Sequence, residues 1–443
     1  MKTKVIIFAI IMLSVASCLK TPDELDEIEI ILPDNNVVFN TNTQNITVKN
    51  AVTIAFADGQ TIVNNPFENY GVSVTVNQQN VTISSTVLET ELEVNYVLSG
   101  ITTNGSVKIY SDYRFGLFFN GVSIQNPTGA AINIQSGKRV SVTLVDNTSN
   151  RLVDEGLFIM TEGEDMKGTF FSEGQLRFDG NGSLLIYGNF GHALRVDDYI
   201  QINSGNITIN NATQDGIHCY NYFQMNGGNI IINKTKSDGI ECDRGYVAIN
   251  GGAIKVNNSG SVGLKSAENI VISGGKIEIE SLDNGISAES NIVITGGEIY
   301  CNSNKNGMVS KRAIAILGGL TVLSAAKNAF ICDSKMFIIT DGTAIGTGSA
   351  TTIPTASECR QRSVVWGASK FTAGQLVSIK SSNNSEVLTF NLPKAYSGNM
   401  ALLFTSHLLQ ANSAYTIYKA GTAAATFATS DMVTIVGNVS TGQ

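Results

Sequence analysis

Charge is scarce in this chain: only 15% of its 443 residues are Asp, Glu, Lys or Arg. A net charge of −8 and the lack of any Lys/Arg-rich run exclude a surface built to neutralise phosphates, so nucleic acid is not an expected partner. Aromatic residues are few, at 7%, and Trp366 is the single tryptophan. The cysteines number 6, and none falls in the CxxC spacing of structural zinc motifs. The apolar run at residues 5–13 is too short to span a membrane. What is plentiful is glycine, 43 residues, together with Asn, Thr, Ile and Val. That mixture belongs to an all-β protein with many turns.

The glycines are not scattered. Residues 215–257, DGIHCYNYFQMNGGNIIINKTKSDGIECDRGYVAINGGAIKVN, state one pattern twice: Asp-Gly-Ile, a short alternating run, a Gly-Gly turn and a second alternating run. The last glycine of each such turn gives Gly182, Gly205, Gly228, Gly252, Gly275, Gly297, Gly319 and Gly342, at intervals of 22–24 residues. A unit of this size cannot bury its apolar face alone and must stack on its neighbours. Each coil offers three alternating runs, such as residues 285–288, 291–294 and 298–300. Three short strands and three turns per coil fit a right-handed parallel β-helix. A leucine-rich repeat would need a Leu and Asn pattern that is absent, and a hexapeptide helix a shorter coil.

Stacked coils, about 4.8 Å apart, turn sequence columns into spatial ladders. The column before the Asp-Gly glycine reads His192, Asp215, Asp238, Val262, Asn284, Asn306 and Asn328. Its asparagines are expected to form a side-chain ladder. Asp215 and Asp238 would repel by roughly 1 kcal/mol even in bulk water. A calcium ion would relieve this; alternatively each Asp holds only its own turn in solvent. The next columns place Leu194, Ile217, Ile240, Leu264, Ile286, Met308 and Phe330 inward, and Arg195, His218, Glu241 and Lys265 outward, with Asp243 and Glu268 nearby. This mixed-charge strip could meet the carboxylates and hydroxyls of an acidic polysaccharide, or be an ordinary solvated face. Tyr220, Tyr222 and Tyr246 are candidate platforms for sugar rings. Cys219 and Cys242 face each other on adjacent coils, as a disulfide or as two buried thiols.

The ends of the chain read differently. Lys2 and Lys4, the apolar run, and Ser14-Val15-Ala16-Ser17 before Cys18 make residues 1–17 a signal peptide. The last of these resembles a bacterial lipobox, which implies a mature chain lipidated on Cys18; an ordinary signal cleaved nearby is the alternative. Residues 18–36, with Asp23, Glu24, Asp26, Glu27 and Glu29, read as a solvated acidic tether. They resemble the export signal of surface-exposed lipoproteins in some Gram-negative bacteria. The expected location is therefore the cell envelope, lipid-anchored to the outer membrane and facing outward. Residues 37–345 form the expected β-helix, whose first coils are irregular caps, and residues 346–443 a β-rich C-terminal segment. The acidic interruption at residues 151–167 is expected to project as a loop.

The runs at 116–124 (GLFFNGVSI) and 129–132 (GAAI), the repeated units and the segment 362–421 together resemble the bacterial carbohydrate-binding β-helix family. That family is similar in architecture to pectate-lyase-type β-helices, especially family 9 polysaccharide lyases. The resemblance implies binding of cellulose and acidic sugars, with calcium in the helix. The later coils depart from the family pattern, with Val262, Asn284, Asn306 and Asn328 at the turn. Only Asp215, Asp238, Glu241 and Asp283 carry over as candidate metal ligands. The expectation is a non-catalytic surface lipoprotein that binds a pectin-like or cellulosic glycan through His218, Glu241, Lys265, Tyr220 and Tyr246. The competing readings are a polysaccharide lyase with Lys265 as base beside Glu241 and Asp238, and a structural or adhesive surface protein. No catalytic residue is assigned, and the oligomeric state is not legible.

Overall fold

A computed structural model describes residues 37–40, 45–87 and 93–442. The expected leader, Cys18 and the acidic tether at residues 18–36 lie outside the described residues. The repeats wind into a parallel β-helix with three faces. The first face includes Gly168–Ser172, His192–Val196, Ile217–Cys219, Ile240–Cys242, Leu264–Ser266, Ile286–Ala288, Met308–Ser310 and Phe330–Cys332 in a 12-stranded sheet. The second runs through Ile200–Ile202, Phe223–Met225, Val247–Ile249, Ile270–Ile272 and Ile292–Ile294. The third runs through Asn206–Ala212, Asn229–Ile232, Ala253–Ser259, Lys276–Ser281 and Glu298–Ser303.

The strands stack in register, so the columns expected from the sequence are physical ladders. Leu194 pairs with Ile217, Ile217 with Ile240, Ile240 with Leu264, and so on to Phe330. Their side chains are fully buried and form the core with the isoleucines of the other two faces. Burying each one contributes about 1.5–3 kcal/mol, and β-branched residues suit the pleat. Seven of the eight glycine markers, Gly205 to Gly342, have positive φ. In the first turn that role falls to Gly180 rather than Gly182. The Asp-Gly glycines answer a different need: a Cβ on Gly239 would fall 2.5 Å from the Gly263 carbonyl oxygen of the next coil.

The asparagine column behaves as expected. Asn306 Nδ2 donates to Asn284 Oδ1 at 2.8 Å, and Asn328 donates to Asn306 Oδ1 from Nδ2 at 2.8 Å and from its backbone at 3.2 Å. Asn306→Ala removes all three bonds at a buried position. It is expected to cost about 1–3 kcal/mol, read as a lower thermal unfolding midpoint. Asn250→Ala, in an exposed ladder on another corner, is expected to cost much less, and equal losses would refute the ladder's role.

Both ends are closed by antiparallel pairing, which blunts edges that would otherwise template aggregation. At the start, Val72–Asn77 folds back on Gln79–Ser85 and Ala51–Ala57 on Gln60–Asn64. At the other end, Tyr396–Thr405 pairs antiparallel with both Met336–Gly348 and Ser363–Phe371. A four-stranded antiparallel sheet follows, over a core that includes Trp366, Phe371, Phe404, Tyr415 and Ile417. The boundary read at residues 345/346 thus falls inside the strand Met336–Gly348, which the solenoid and the C-terminal segment share.

The loop after Ser149–Asp154 does not simply project. Lys108 Nζ pairs with Glu164 at 2.7 Å, Tyr110 bonds the same carboxylate, and Gln135 Nε2 donates to the Asp165 carbonyl at 2.6 Å. Met166 packs on Ala130 and Phe158. Its root is tied by fully buried Asp154, which accepts bonds from Gly156 N, Thr169 Oγ1 and Asn189 N at 2.8, 2.6 and 3.0 Å. The loop lies back over the start of the first face, where the outward residues Asn133 and Phe171 are buried. An outward apolar ring such as Phe171 is what makes such a cover favourable.

Candidate functional site

The acidic zone lies at the corner where the third face turns into the first. Asp215 Oδ1 accepts the backbone N–H of Asp238 at 2.8 Å, and Asp238 Oδ1 accepts that of Val262 at 2.8 Å. His192 Nδ1 accepts the N–H of Asp215 at 3.3 Å. The aspartates therefore do the same work as Asn306 further on: each side chain satisfies the next coil's backbone. That leaves one oxygen each. Asp215 Oδ2 lies 2.8 Å from His218 Nδ1 and 3.1 Å from His192 Nδ1. Asp238 Oδ2 lies 3.1 Å from Lys265 Nζ, which also sits 2.5 Å from Glu241 Oε1. His218 Nε2 bonds Asp243 Oδ2 at 2.9 Å.

The cluster fixes its own charges. Burial works against a charged His218, but hydrogen bonds to Asp215 and Glu241 more than offset it and lift the imidazolium pKa to about 9. Burial likewise opposes the charge on Asp215, yet its close contacts with His192 and His218 hold its carboxyl well below the usual range. His192 goes the other way, because burial lowers its pKa more than Asp215 raises it. Burial also pulls against the Lys265 ammonium, but Glu241 and Asp238 keep it above the ordinary lysine range. Asp238 itself is lifted by burial, which outweighs the Val262 N–H and Lys265.

The structure thus brings Asp215, Asp238, Glu241, His218 and Lys265 together, though as an ion-paired network rather than an open strip. Arg195 and His218 point outward yet are only 8% and 5% exposed, and Arg195 Nε pairs with Asp197 at 2.7 Å. The Lys265 and Asp243 side chains, 41% and 37% exposed, are the network's openings to solvent. Asp283 is not part of it and pairs with Lys305 at 3.0 Å. Calcium prefers six to eight oxygen ligands. Here the carboxylates of Asp215, Asp238 and Glu241 approach within 4.8 Å, but all already hold His218 or Lys265. Three carboxylates so engaged fall short of the six to eight oxygens that calcium takes.

The tyrosines form a ladder of their own. Tyr199 stacks on Tyr222 at 4.4 Å and Tyr222 on Tyr246 at 5.1 Å, with rings within 8° of parallel. Their faces are largely occupied by one another, and Tyr220 lies under the Arg244 guanidinium at 4.9 Å. They offer edges and hydroxyls rather than broad platforms. Cys219 and Cys242 are in register but remain thiols, as do Cys301, Cys332 and Cys359, all buried.

A second feature escaped the sequence reading. On the third face the outward columns run Lys255, Glu278, Tyr300 and, beside it, Glu280, Asn302, Ser324. With Pro393 as a wall they line a cleft of about 280 Å³. Lys276 Nζ reaches Glu278 at 2.6 Å and lies 5.7 Å from the Tyr300 ring centre, while Lys255 is 3.5 Å from Glu278. Asn302 Oδ1 is buried without a hydrogen-bond partner. The signal was the replacement of Thr208 and Ile231 by Lys, Glu and Tyr down one outward column.

Fold and site together define a parallel β-helix whose outward ladders carry charged, amide and phenolic groups. The model of a family described as carbohydrate-binding domain-containing protein matches residues 77–329 and 252–389, well over half of the chain. The chain belongs to this family, as its repeats and closing segment suggested. A carbohydrate-binding domain-containing protein of Acetivibrio thermocellus is 30% identical over 118 residues, 26% of this chain and 41% of that relative's length. Among solved structures, a polysaccharide lyase-like protein from C. thermocellum, a gadolinium derivative, is similar with a TM-score of 0.42 and 24% identity. The likeness covers 57% of this chain and 94% of that one.

Proposed function

We propose that the chain is a non-catalytic polysaccharide-binding protein that holds its glycan in the third-face cleft. The observation that carries this reading is the cleft's chemistry: an aromatic ring, amides with an unpaired acceptor at Asn302, and Lys255, which shares Glu278 with the neighbouring Lys276. Sites of this kind pair an apolar surface with a few fixed polar groups. A sugar hydroxyl would draw the Asn302 amide out to bond its unpaired Oδ1, and its ring would lie against Tyr300. The glycan class is acidic, pectin-like, or cellulosic. A uronate carboxylate would draw Lys255 and Lys276 from Glu278, and calcium would offset its repulsion with Glu278 and Glu280. Anchoring through Cys18 on the outward side of the outer membrane would present this cleft to extracellular glycans.

The lyase alternative needs an unprotonated base next to the substrate's acidic proton. Lys265 is held as ammonium by Glu241 and Asp238, which supports binding without cleavage. Pull-down on a panel of insoluble and acidic glycans tests the reading. Wild type should be retained, Tyr300→Ala combined with Asn302→Ala should weaken retention about tenfold, equivalent to about 1.4 kcal/mol, and far-UV CD should not change. A chelator should weaken retention on polygalacturonate but not on cellulose. If no glycan retains the wild type, the reading fails; if Lys265→Ala abolishes retention and the cleft variant does not, the site is the first-face corner.

A further inference from the structure

The chain has 3 histidines, and two of them, His192 and His218, meet on adjacent coils with ring centres 4.5 Å apart. Between them stands Asp215, 2% exposed, with one oxygen 2.8 and 3.1 Å from the two Nδ1 atoms. We propose that His192, Asp215 and His218 form a binding site for a zinc-class divalent transition metal ion, with Asp243 orienting His218 from behind.

Donors about 2.0–2.2 Å from a tetrahedral zinc stand roughly 3.3 Å apart; here the two nitrogen–carboxylate distances are 2.8 and 3.1 Å, and all three donors lie within 4.8 Å of one another. The tautomers suit the site. His192 Nδ1 accepts the Asp215 N–H at 3.3 Å, so this nitrogen is unprotonated, and the ion would take its lone pair from that long bond. His218 Nε2 bonds Asp243 Oδ2 at 2.9 Å, the carboxylate–histidine contact that aims the other ring nitrogen at a metal. The ion would take the place of the Nδ1 proton that now joins His218 to Asp215. Asp215 Oδ1 stays on the Asp238 N–H, so the ladder gives up only the long Asp215 N–H bond to His192.

Two imidazoles and a carboxylate are the donors of zinc and its neighbours, not of calcium. Glu241 Oε2, 3.4 Å from His218 Nδ1, stands on the more open side and can complete the shell directly or through water. All three ligands are buried, so the ion would staple two coils at the corner. The site shares no residue with the Tyr300 cleft and does not depend on glycan binding.

Titration of the chelator-stripped full chain with Co²⁺, followed by visible absorption, tests this. About one equivalent should bind with d–d bands, Zn²⁺ should displace it, and Zn²⁺ should raise the unfolding midpoint. His192→Gln, which can still accept the Asp215 N–H, and His218→Ala should each weaken uptake at least about 100-fold, and Asp243→Asn about 10–100-fold. His407→Ala, an exposed histidine elsewhere, should bind as wild type does. No uptake by wild type overturns the proposal. So does unchanged uptake, or an unchanged Zn²⁺-induced shift of the midpoint, in His192→Gln.

Discussion

Asp215→Ala is expected to destabilise the metal-free chain by about 3–5 kcal/mol, the range for removing one partner from a buried ion pair. Two costs combine. The Asp238 N–H loses the acceptor it has at 2.8 Å, and an unpaired buried donor costs about 1–3 kcal/mol. His218, whose side chain is 6% exposed, loses its shortest charged contact and keeps Asp243 and the more distant Glu241. Asp215→Asn should restore the backbone bond and recover about the first part. Asp238→Ala offers a sharper comparison, because it removes the same kind of backbone acceptor, here for Val262. Its cationic partner, Lys265, is 41% exposed and can turn to water, so the loss should stay near the cost of the hydrogen bond alone. Denaturant unfolding midpoints of the three variants decide this. Equal losses for Asp215→Ala and Asp238→Ala would mean that the buried imidazolium contributes nothing.

The helical winding was legible because in-register parallel stacking maps a 22–24-residue interval directly onto space. Once the interval is known, each column is fixed, and the succession Arg195, His218, Glu241, Lys265 on adjacent coils follows without further information. The slip at Gly182 arose where Gly180-Asn181-Gly182 offers two glycines to one turn. Membership of the corner was legible too, but its charge state was not. Whether Asp215 and Asp238 need an added cation depends on where His218 and Lys265 reach, and side-chain reach between coils is not written in a column. The stacking of Tyr199, Tyr222 and Tyr246 was hidden for the same reason. Asp283 misled because it sits one residue before the column, where the chain carries Ser237 and Ser261 in other coils. The cleft was least accessible to sequence reasoning, since its wall at Pro393 comes from the C-terminal segment and only folding brings it beside Tyr300.

In chelator, the wild type is expected to lose about 3 kcal/mol of stability between pH 6.5 and 9.5, and His218→Gln to lose far less. The groups facing His218 are Asp215, Glu241 and Asp243, which favour its charge, and Arg195 and His192, which do not. Burial opposes the charge, but the carboxylates prevail and set the folded pKa at about 9, above the ordinary 6.5. A raised pKa means that the folded state holds the proton more tightly than the unfolded chain does. The stabilisation is therefore complete below about pH 6.5 and disappears as the pH rises through about 9, at roughly 1.4 kcal/mol per unit in between. Lys265 stays charged across this window because its own pKa is raised above the lysine range, so the Asp238–Glu241 half of the network does not move with it. Unfolding midpoints followed against pH separate the two halves. A wild-type slope that matches His218→Gln from pH 6.5 to 9.5 would show that the imidazole is neutral in the folded chain. The shared Asp215 oxygen would then be held by a hydrogen bond from the neutral His218 ring.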